Sequence, residues 1–389
     1  MKRKHLTILA ISALVVGACA GVAALFTGAG LLAYWRAPLG PSLDLPTRTL
    51  PALAVNTPAP AGTATLQPTR TPFPTSNIPL AGTATPFQIT CGGPPVMNLL
   101  AVGSDVRGDN YTYGLADAIR IVRVDFITPR VTILEFPRDL YVQIPGIADH
   151  YGITHGKINQ AYLYGQPGFS YYDGPGGGPG LLARTLELNF GMRVDHYGVV
   201  NMQTFVRIVD AVGGIDVVLD RYINGNAPDS DPPKKELIFT AGYHHLNGKQ
   251  ALILARLRPY GGFERAESQN LVLCALRDKL LSASVITRIP DLIKSFENSV
   301  LTDLSPEQIS QLACLAPHLS GDNLVFARFP EELFTGTRVD DPVLGYTSIL
   351  EADFNVLRDY VTEFEAGVWP SIVPGASVPP EKSSSSLCP

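Results

Sequence analysis

The sequence predicts an α/β domain: a central mixed β-sheet flanked by helices in an α-β-α arrangement, preceded by one transmembrane helix. Three observations predict it. Residues 6–35 contain no Asp, Glu, Lys or Arg. Residues 37–91 are rich in Pro, Thr and Ala. Residues 92–366 alternate strand-like and helix-like apolar patterns, the mark of a sheet covered by helices.

The first run exceeds the roughly 20 apolar residues that cross a bilayer. Lys2, Arg3 and Lys4 precede it and only Arg36 follows closely, so residues 1–36 read as a cytoplasmic basic terminus and an anchor, with the rest outside. Tyr34 and Trp35 stand where interfacial aromatics belong. The alternative is a cleaved signal: Val16-Gly17-Ala18-Cys19 loosely matches a lipoprotein box and would leave Cys19 lipidated. The apolar run continues well past Cys19, which favours an uncleaved single-pass anchor in the cell membrane.

Between the anchor and the domain, Ala-Gly-Thr-Ala-Thr occurs at 61–65 and 81–85, and Pro-Thr-Arg-Thr at 46–49 and 68–71. No apolar face recurs with these echoes, so 37–91 reads as a disordered spacer and 367–389 as a disordered tail. A net charge of -5 argues against nucleic acid as a partner. Of five cysteines, Cys274 and Cys314 are the first expected pair, with small buried hydrophobes as the alternative.

Within the domain, 97–103 reads as a buried strand, and 118–126 with 131–136 as a hairpin around Ile127-Thr128-Pro129-Arg130. Residues 181–190, 203–212, 264–282, 306–315 and 351–364 read as helices, the second stopped by Gly213-Gly214. Strands are expected at 196–200 and 215–219. A hairpin turn between Thr128 and Pro129 sets Asp117 opposite Asp139 and Arg138. If 97–103 runs parallel to 131–136, Asp105 and Arg107 reach the same edge. Two carboxylates beside two guanidinium groups suit Mg²⁺ with phosphates, although acids also flank strands in ordinary solvated loops.

A second cluster follows the apolar stretch 251–255. In extended chain Arg256 and Arg258 would share a face, while Arg265 and Gln269 continue the helical stripe of Val272, Leu276 and Leu280. A buried guanidinium needs an anion, and only Glu264 and Glu267 are local. Distant aspartates or an external phosphate, which suits arginine's planar fork, would supply it. The seven histidines show no metal-ligand spacing, and His244-His245 reads as surface before a turn at Leu246-Asn247-Gly248. No Gly-x-Ser-x-Gly or P-loop occurs, and residues 174–180 read as a flexible Gly/Pro loop.

Taken in order, residues 98–107, Ala116-Asp117, Phe136-Pro137-Arg138-Asp139, 157–162, 209–215, 246–252, Arg256-Leu257-Arg258, and Arg265 with Gln269 resemble the LytR-CpsA-Psr family. The resemblance covers about half the chain. It implies a phosphotransferase that moves a glycopolymer from undecaprenyl pyrophosphate to peptidoglycan through a phosphodiester. It further implies that Asp105 and Asp117 hold Mg²⁺ (or Mn²⁺), and that Arg138, Lys157, Arg256, Arg258, Arg265 and Gln269 grip phosphates. Arg107 would support them, an apolar pocket would take the polyprenyl chain, and a muramic-acid hydroxyl would attack. No base is identifiable in this sequence; Asp139 is the candidate. The sequence departs at Gly261-Gly262, where many members carry an acid, at Ser268 in place of Arg, and at Ala116 and Ala118 in place of Ser and Thr. A non-catalytic lipid-phosphate or glycan binder and a lipid-pyrophosphate hydrolase are the competing functions.

Overall fold

A computed structural model describes residues 33–45, 89–106, 108, 110–227, 232–257, 262–282, 285, 299–319, 323–370 and 385–387. The elements run β1 (Val96–Ser104), β2 (Ala116–Asp125), β3 (Arg130–Phe136), β4 (Tyr141–Gln143), β5 (His155–Lys157), α1 (Ile158–Tyr164) and α2 (Gly177–Phe190). They continue through β6 (His196–Asn201), α3 (Met202–Ala211), β7 (Ile215–Leu219), β8 (Ile223–Asn224), β9 (Ile238–Phe239), β10 (Gly242–Leu246), α4 (Gly248–Arg256) and α5 (Gly262–Leu281). Last come β11 (Leu301–Thr302), α6 (Pro306–Leu315), β12 (Leu324–Arg328), β13 (Thr335–Asp341), β14 (Gly345–Glu351), α7 (Phe354–Glu365) and β15 (Ser385–Leu387).

Seven strands form one mixed sheet in the order β11-β6-β1-β2-β3-β12-β15. β1 is parallel to β6 and antiparallel to β2; β3 is antiparallel to β2 and parallel to β12. The pleat sends alternate residues to opposite faces. Leu100, Val102, Ile119, Ile121, Leu134 and Phe136 join α1, α2 and α7 in the larger core. On the other face, Met97, Val124 and Phe126 pack with Cys274 of α5 and Leu315 of α6. A third cluster knits α3, α4, α5 and the β7–β10 ribbon. The α-β-α expectation therefore holds.

Several details differ from the sequence reading. The apolar 251–255 stretch, given no secondary structure by the sequence, lies in α4, capped by Asn247, whose side chain accepts the Gln250 N–H at 3.0 Å. Gly177 to Gly180 are the first turn of α2 rather than a flexible loop. A Cβ at Gly178 would lie 2.7 Å from the Tyr162 carbonyl oxygen, so the glycine lets α2 approach α1 closely. Residue 351 ends β14, and α7 begins three residues later behind the Asp353 cap. Cys314 is joined to Cys91, not to Cys274, which is itself disulfide-bonded. Parts of the expected spacer and tail are ordered: Leu43 and Trp369 are buried, and Ser385–Leu387 pairs with β12. Among the described residues, no helix is long and apolar enough to cross a membrane; the anchor expected at 6–35 lies outside them except for its last turn.

Candidate functional site

The carboxyl ends of the parallel strands β1 and β6 meet the start of β2, a position where open α/β sheets commonly bind ligands. Here the β1–β2 register breaks: Gly103 faces Ala118 but Ser104 faces Ala116, so Asp117 is the extra residue of a β-bulge. Bulges re-aim side chains, and this one belongs to a carboxylate at a strand end. Across the hairpin, the register Ile119↔Phe136 carried two residues further sets Asp117 against Arg138. The two form an ion pair, with side chains 25% and 20% exposed.

The charges continue outward from that pair. Arg138 Nε is 3.4 Å from Asp139 Oδ2, and Lys157 Nζ is 3.3 Å from Asp139 Oδ1. Lys157 is fixed because its backbone N–H donates to Gln160 Oε1 at 2.6 Å at the start of α1. Asp105, just past β1, accepts the Leu115 N–H at 2.7 Å and so closes the β1–β2 connection beside Asp117.

Behind this mouth lies a cavity of about 670 Å³. Its sheet side includes the small residues Ala101 and Gly103 on β1, Ala118 on β2 and Gly198 on β6, beside Val200 and Arg120. The opposite face of the same strands carries Leu100, Val102, Ile119 and Ile121. The small residues at 101, 103, 118 and 198 leave the space. Phe205 and Ile208 of α3, Leu252 and Ala255 of α4, and Val272, Leu273 and Leu276 of α5 roof it.

Asp117, Arg138, Arg256 and Gln269 all line this cavity, so four of the expected residues converge. Asp105 and Lys157 sit beside it, tied in through Leu115 and Asp139. Arg107, Arg258 and the side chain of Arg265 lie outside the described residues. The stripe of Gln269, Val272 and Leu276 faces the cavity as expected. Arg256, the last residue of α4, is exposed, so the expectation of a guanidinium buried without an anion does not hold for it.

Among the described residues, the buried guanidinium that lines the cavity is Arg120, which the sequence reading missed. It is 5% exposed and lines the cavity. It donates to Glu135 Oε2 at 2.8 Å, Asn270 Oδ1 at 2.7 Å and Gln269 Oε1 at 3.2 Å. Its signal was available: a charged residue inside a β-rich run, with Glu135 directly across the hairpin. Asp139 also changes role. Both of its oxygens are held by cations, which suits it to positioning Arg138 and Lys157 rather than to accepting a proton.

The residues offer hard oxygen donors for a divalent cation at Asp105 and Asp117, the chemistry Mg²⁺ prefers. Among the described residues, a cluster of three potential ligands is formed by Cys91, Cys314 and His318, but its two sulfurs are joined to each other.

The model of the LytR_cpsA_psr family matches residues 92–349. Regulatory protein MsrR of Staphylococcus aureus (strain COL) is 28% identical over 221 residues, 55% of this chain and 58% of that protein. The polyisoprenyl-teichoic acid–peptidoglycan teichoic acid transferase TagU of Oceanobacillus iheyensis is 32% identical over 225 residues, 56% of this chain and 61% of that protein. The chain thus spans about three-fifths of the length of these relatives. Among solved structures, B. subtilis TagV superposes with a TM-score of 0.53 at 25% identity, covering 69% of this chain and 96% of that one. The order of the motifs, the mixed sheet and the family match agree: this chain belongs to the LytR_cpsA_psr family.

Proposed function

We propose that this protein is a cell-wall glycopolymer transferase, anchored in the cell membrane by residues 6–35 with its domain outside. It would take a glycopolymer from a polyprenyl (undecaprenyl) pyrophosphate carrier and join it to peptidoglycan. The observation that carries the reading is the Asp117–Arg138 pair at the mouth of the apolar cavity of about 670 Å³. A lipid pyrophosphate is a greasy chain ending in concentrated negative charge, and this site has the same two parts in the same order. The relative in Oceanobacillus iheyensis, named as a teichoic acid transferase, supports the same reading.

In the proposed reaction an acceptor sugar hydroxyl forms a bond to the glycan-side phosphorus. The bond from that phosphorus to the bridging oxygen breaks, and the lipid leaves as a monophosphate. The hydroxyl proton passes to solvent, since Asp139 is held between Arg138 and Lys157. The protein's part is to position and to neutralise, which is most of what phosphoryl transfer needs. Arg138 grips the phosphates, and Arg256 and Gln269 line the approach from the α4–α5 side. Asp105 and Asp117 would hold Mg²⁺ or Mn²⁺, which when bound neutralises phosphate oxygens and stabilises the leaving lipid phosphate.

The test is transfer by the full chain in vesicles, from a polyprenyl-pyrophosphate-linked glycopolymer onto peptidoglycan fragments. Wild type forms the adduct, and Asp117→Asn and Arg138→Ala lose about 10²–10³-fold of that rate. Adduct formation unchanged in both variants would overturn the site assignment. Donor binding without turnover identifies a binding protein, and free phosphorylated glycan identifies a hydrolase.

A further inference from the structure

The segment just after the expected anchor is strapped to the domain. Residues 33–36 are helical, with Tyr34 and Trp35 exposed. Three residues after Arg36, the Leu39 N–H donates to the Leu304 carbonyl at 3.2 Å. Arg36 Nε lies 3.5 Å from Glu307 Oε2 at the start of α6. The Tyr197 hydroxyl donates to the Pro41 carbonyl at 2.9 Å. A Cβ at Gly40 would lie 2.6 Å from the Thr302 carbonyl oxygen, so only glycine lets the strap lie this close to β11. Leu43, 2% exposed, then enters the larger core beside Gly176. The strap wraps the β11 edge of the sheet, from the α6 side to the α2 side.

Residues 46–88 therefore have both flanks on the domain, since the Thr90 N–H donates to the Phe126 carbonyl at 2.8 Å just before β1. They do not separate anchor from domain. Three residues do, and three residues span at most about 10 Å.

We infer that the β11 edge, with Arg36 and Glu307, is the membrane-facing surface, seated on the outer lipid headgroups by the strap. β6, which lines the cavity through Gly198 and Val200, is the next strand in from that edge. A lipid-borne donor then reaches the cavity without the domain leaving the bilayer. The inference rests on the anchor reading above and is independent of the transferase reading.

The experiment measures the distance from a fluorophore on the domain to acceptor-labelled lipids, with the full chain in phosphatidylglycerol/phosphatidylcholine vesicles. A 20-residue Gly/Ser segment is inserted either between residues 36 and 37 or between residues 68 and 69. With the strap in place, the first insertion turns a three-residue tether into one of about 26 Å, moving the domain outward by about 15–20 Å. The second insertion moves it not at all. Gly40→Leu, which unseats the strap, makes the domain respond to the second insertion as well. Equal outward shifts of about 7 Å from either insertion, as for a long spacer, would overturn the inference. So would a wild-type chain that does not associate with vesicles; the transferase reading is then still tested by transfer from a detergent-solubilised donor.

Discussion

Replacing Arg120 by Met keeps the aliphatic stem and removes the charge. Arg120 is 5% exposed, and its carboxylate partner Glu135 retains 18% side-chain exposure. The substitution strands Glu135, leaves Asn270 and Gln269 without their donor, and removes the guanidinium from 5.8 Å above the Phe326 ring. Breaking one side of a buried pair costs about 3–5 kcal/mol. Because Glu135 keeps some solvent, the lower end applies, about 3 kcal/mol, or a loss of about 150-fold in the folding equilibrium. Most of that cost is the orphaned carboxylate, so Arg120→Met with Glu135→Leu recovers at least half. Urea unfolding of both variants, followed by far-ultraviolet circular dichroism, reads these values from the shift in midpoint at constant slope. A single variant within about 1 kcal/mol of wild type, or a double variant no better than the single, would refute the account.

Three other perturbations address the cavity, the covalent tie and the buried tyrosines. A Cβ at Gly198 meets no heavy atom within 4 Å, and Gly198 lines the cavity. Gly198→Leu should leave the urea midpoint near wild type while raising KM for a long-chain lipid donor at least about 10-fold, the effect of about 1.4 kcal/mol of lost apolar burial. A preserved KM would put the lipid elsewhere. The Cys91–Cys314 disulfide links residues 223 apart, so Cys91→Ser should cost about 2–5 kcal/mol of stability by the same unfolding measurement. An unchanged midpoint would show that the unfolded chain is already constrained there. Burial raises Tyr162, Tyr164 and Tyr197 well above the ordinary tyrosine value of 10.0. The folded state favours their neutral form, so this stability is fully present below pH 10 and is lost as pH rises above it. A urea midpoint that stays flat to about pH 11.5 would contradict these burials.

Much of the sheet was legible because its strands carry strong period-two patterns, and the site was legible where charge stands at strand ends. The hairpin turn is centred between Ile127 and Thr128, one residue before the expected position between Thr128 and Pro129. Asp125 Oδ1 accepts the Ile127 and Thr128 N–H groups at 3.0 and 2.9 Å, starting the turn one residue earlier. With that turn Asp117 faces Arg138, one of the two residues expected opposite it. The bulge at Asp117 had no local signal; it appears only where β1 and β2 are paired. The helix over 251–255 was not assigned from sequence, although Asn247 and Gln250 form a capping box that commits the stretch to helix. The strap was hidden for another reason: its Pro-rich composition matches a spacer, and only Leu39 and Leu43, four apart, hint at a docked face.

The arrangement of charge also bears on how the proposed site would take a cation. Among the described residues, the mouth carries Arg138, Lys157 and Arg256 against Asp105, Asp117 and Asp139, a neutral set. Arg120 adds nothing to this, since Glu135 neutralises it inside the wall. Asp117 and Asp139 already engage Arg138 and Lys157, which holds these cations back from a pyrophosphate, and the carboxylates favour an added cation. A cation taken by Asp105 and Asp117 competes with Arg138 for Asp117 and frees that guanidinium for phosphate oxygens. Donor affinity should therefore rise with Mg²⁺ in wild type, and Asp117→Asn should abolish that dependence while binding the donor better without metal. Titrating a polyprenyl pyrophosphate against the full chain with and without Mg²⁺ separates the two cases. If Asp117→Asn keeps the full metal dependence, then Asp117 serves Arg138 alone and the cation belongs elsewhere.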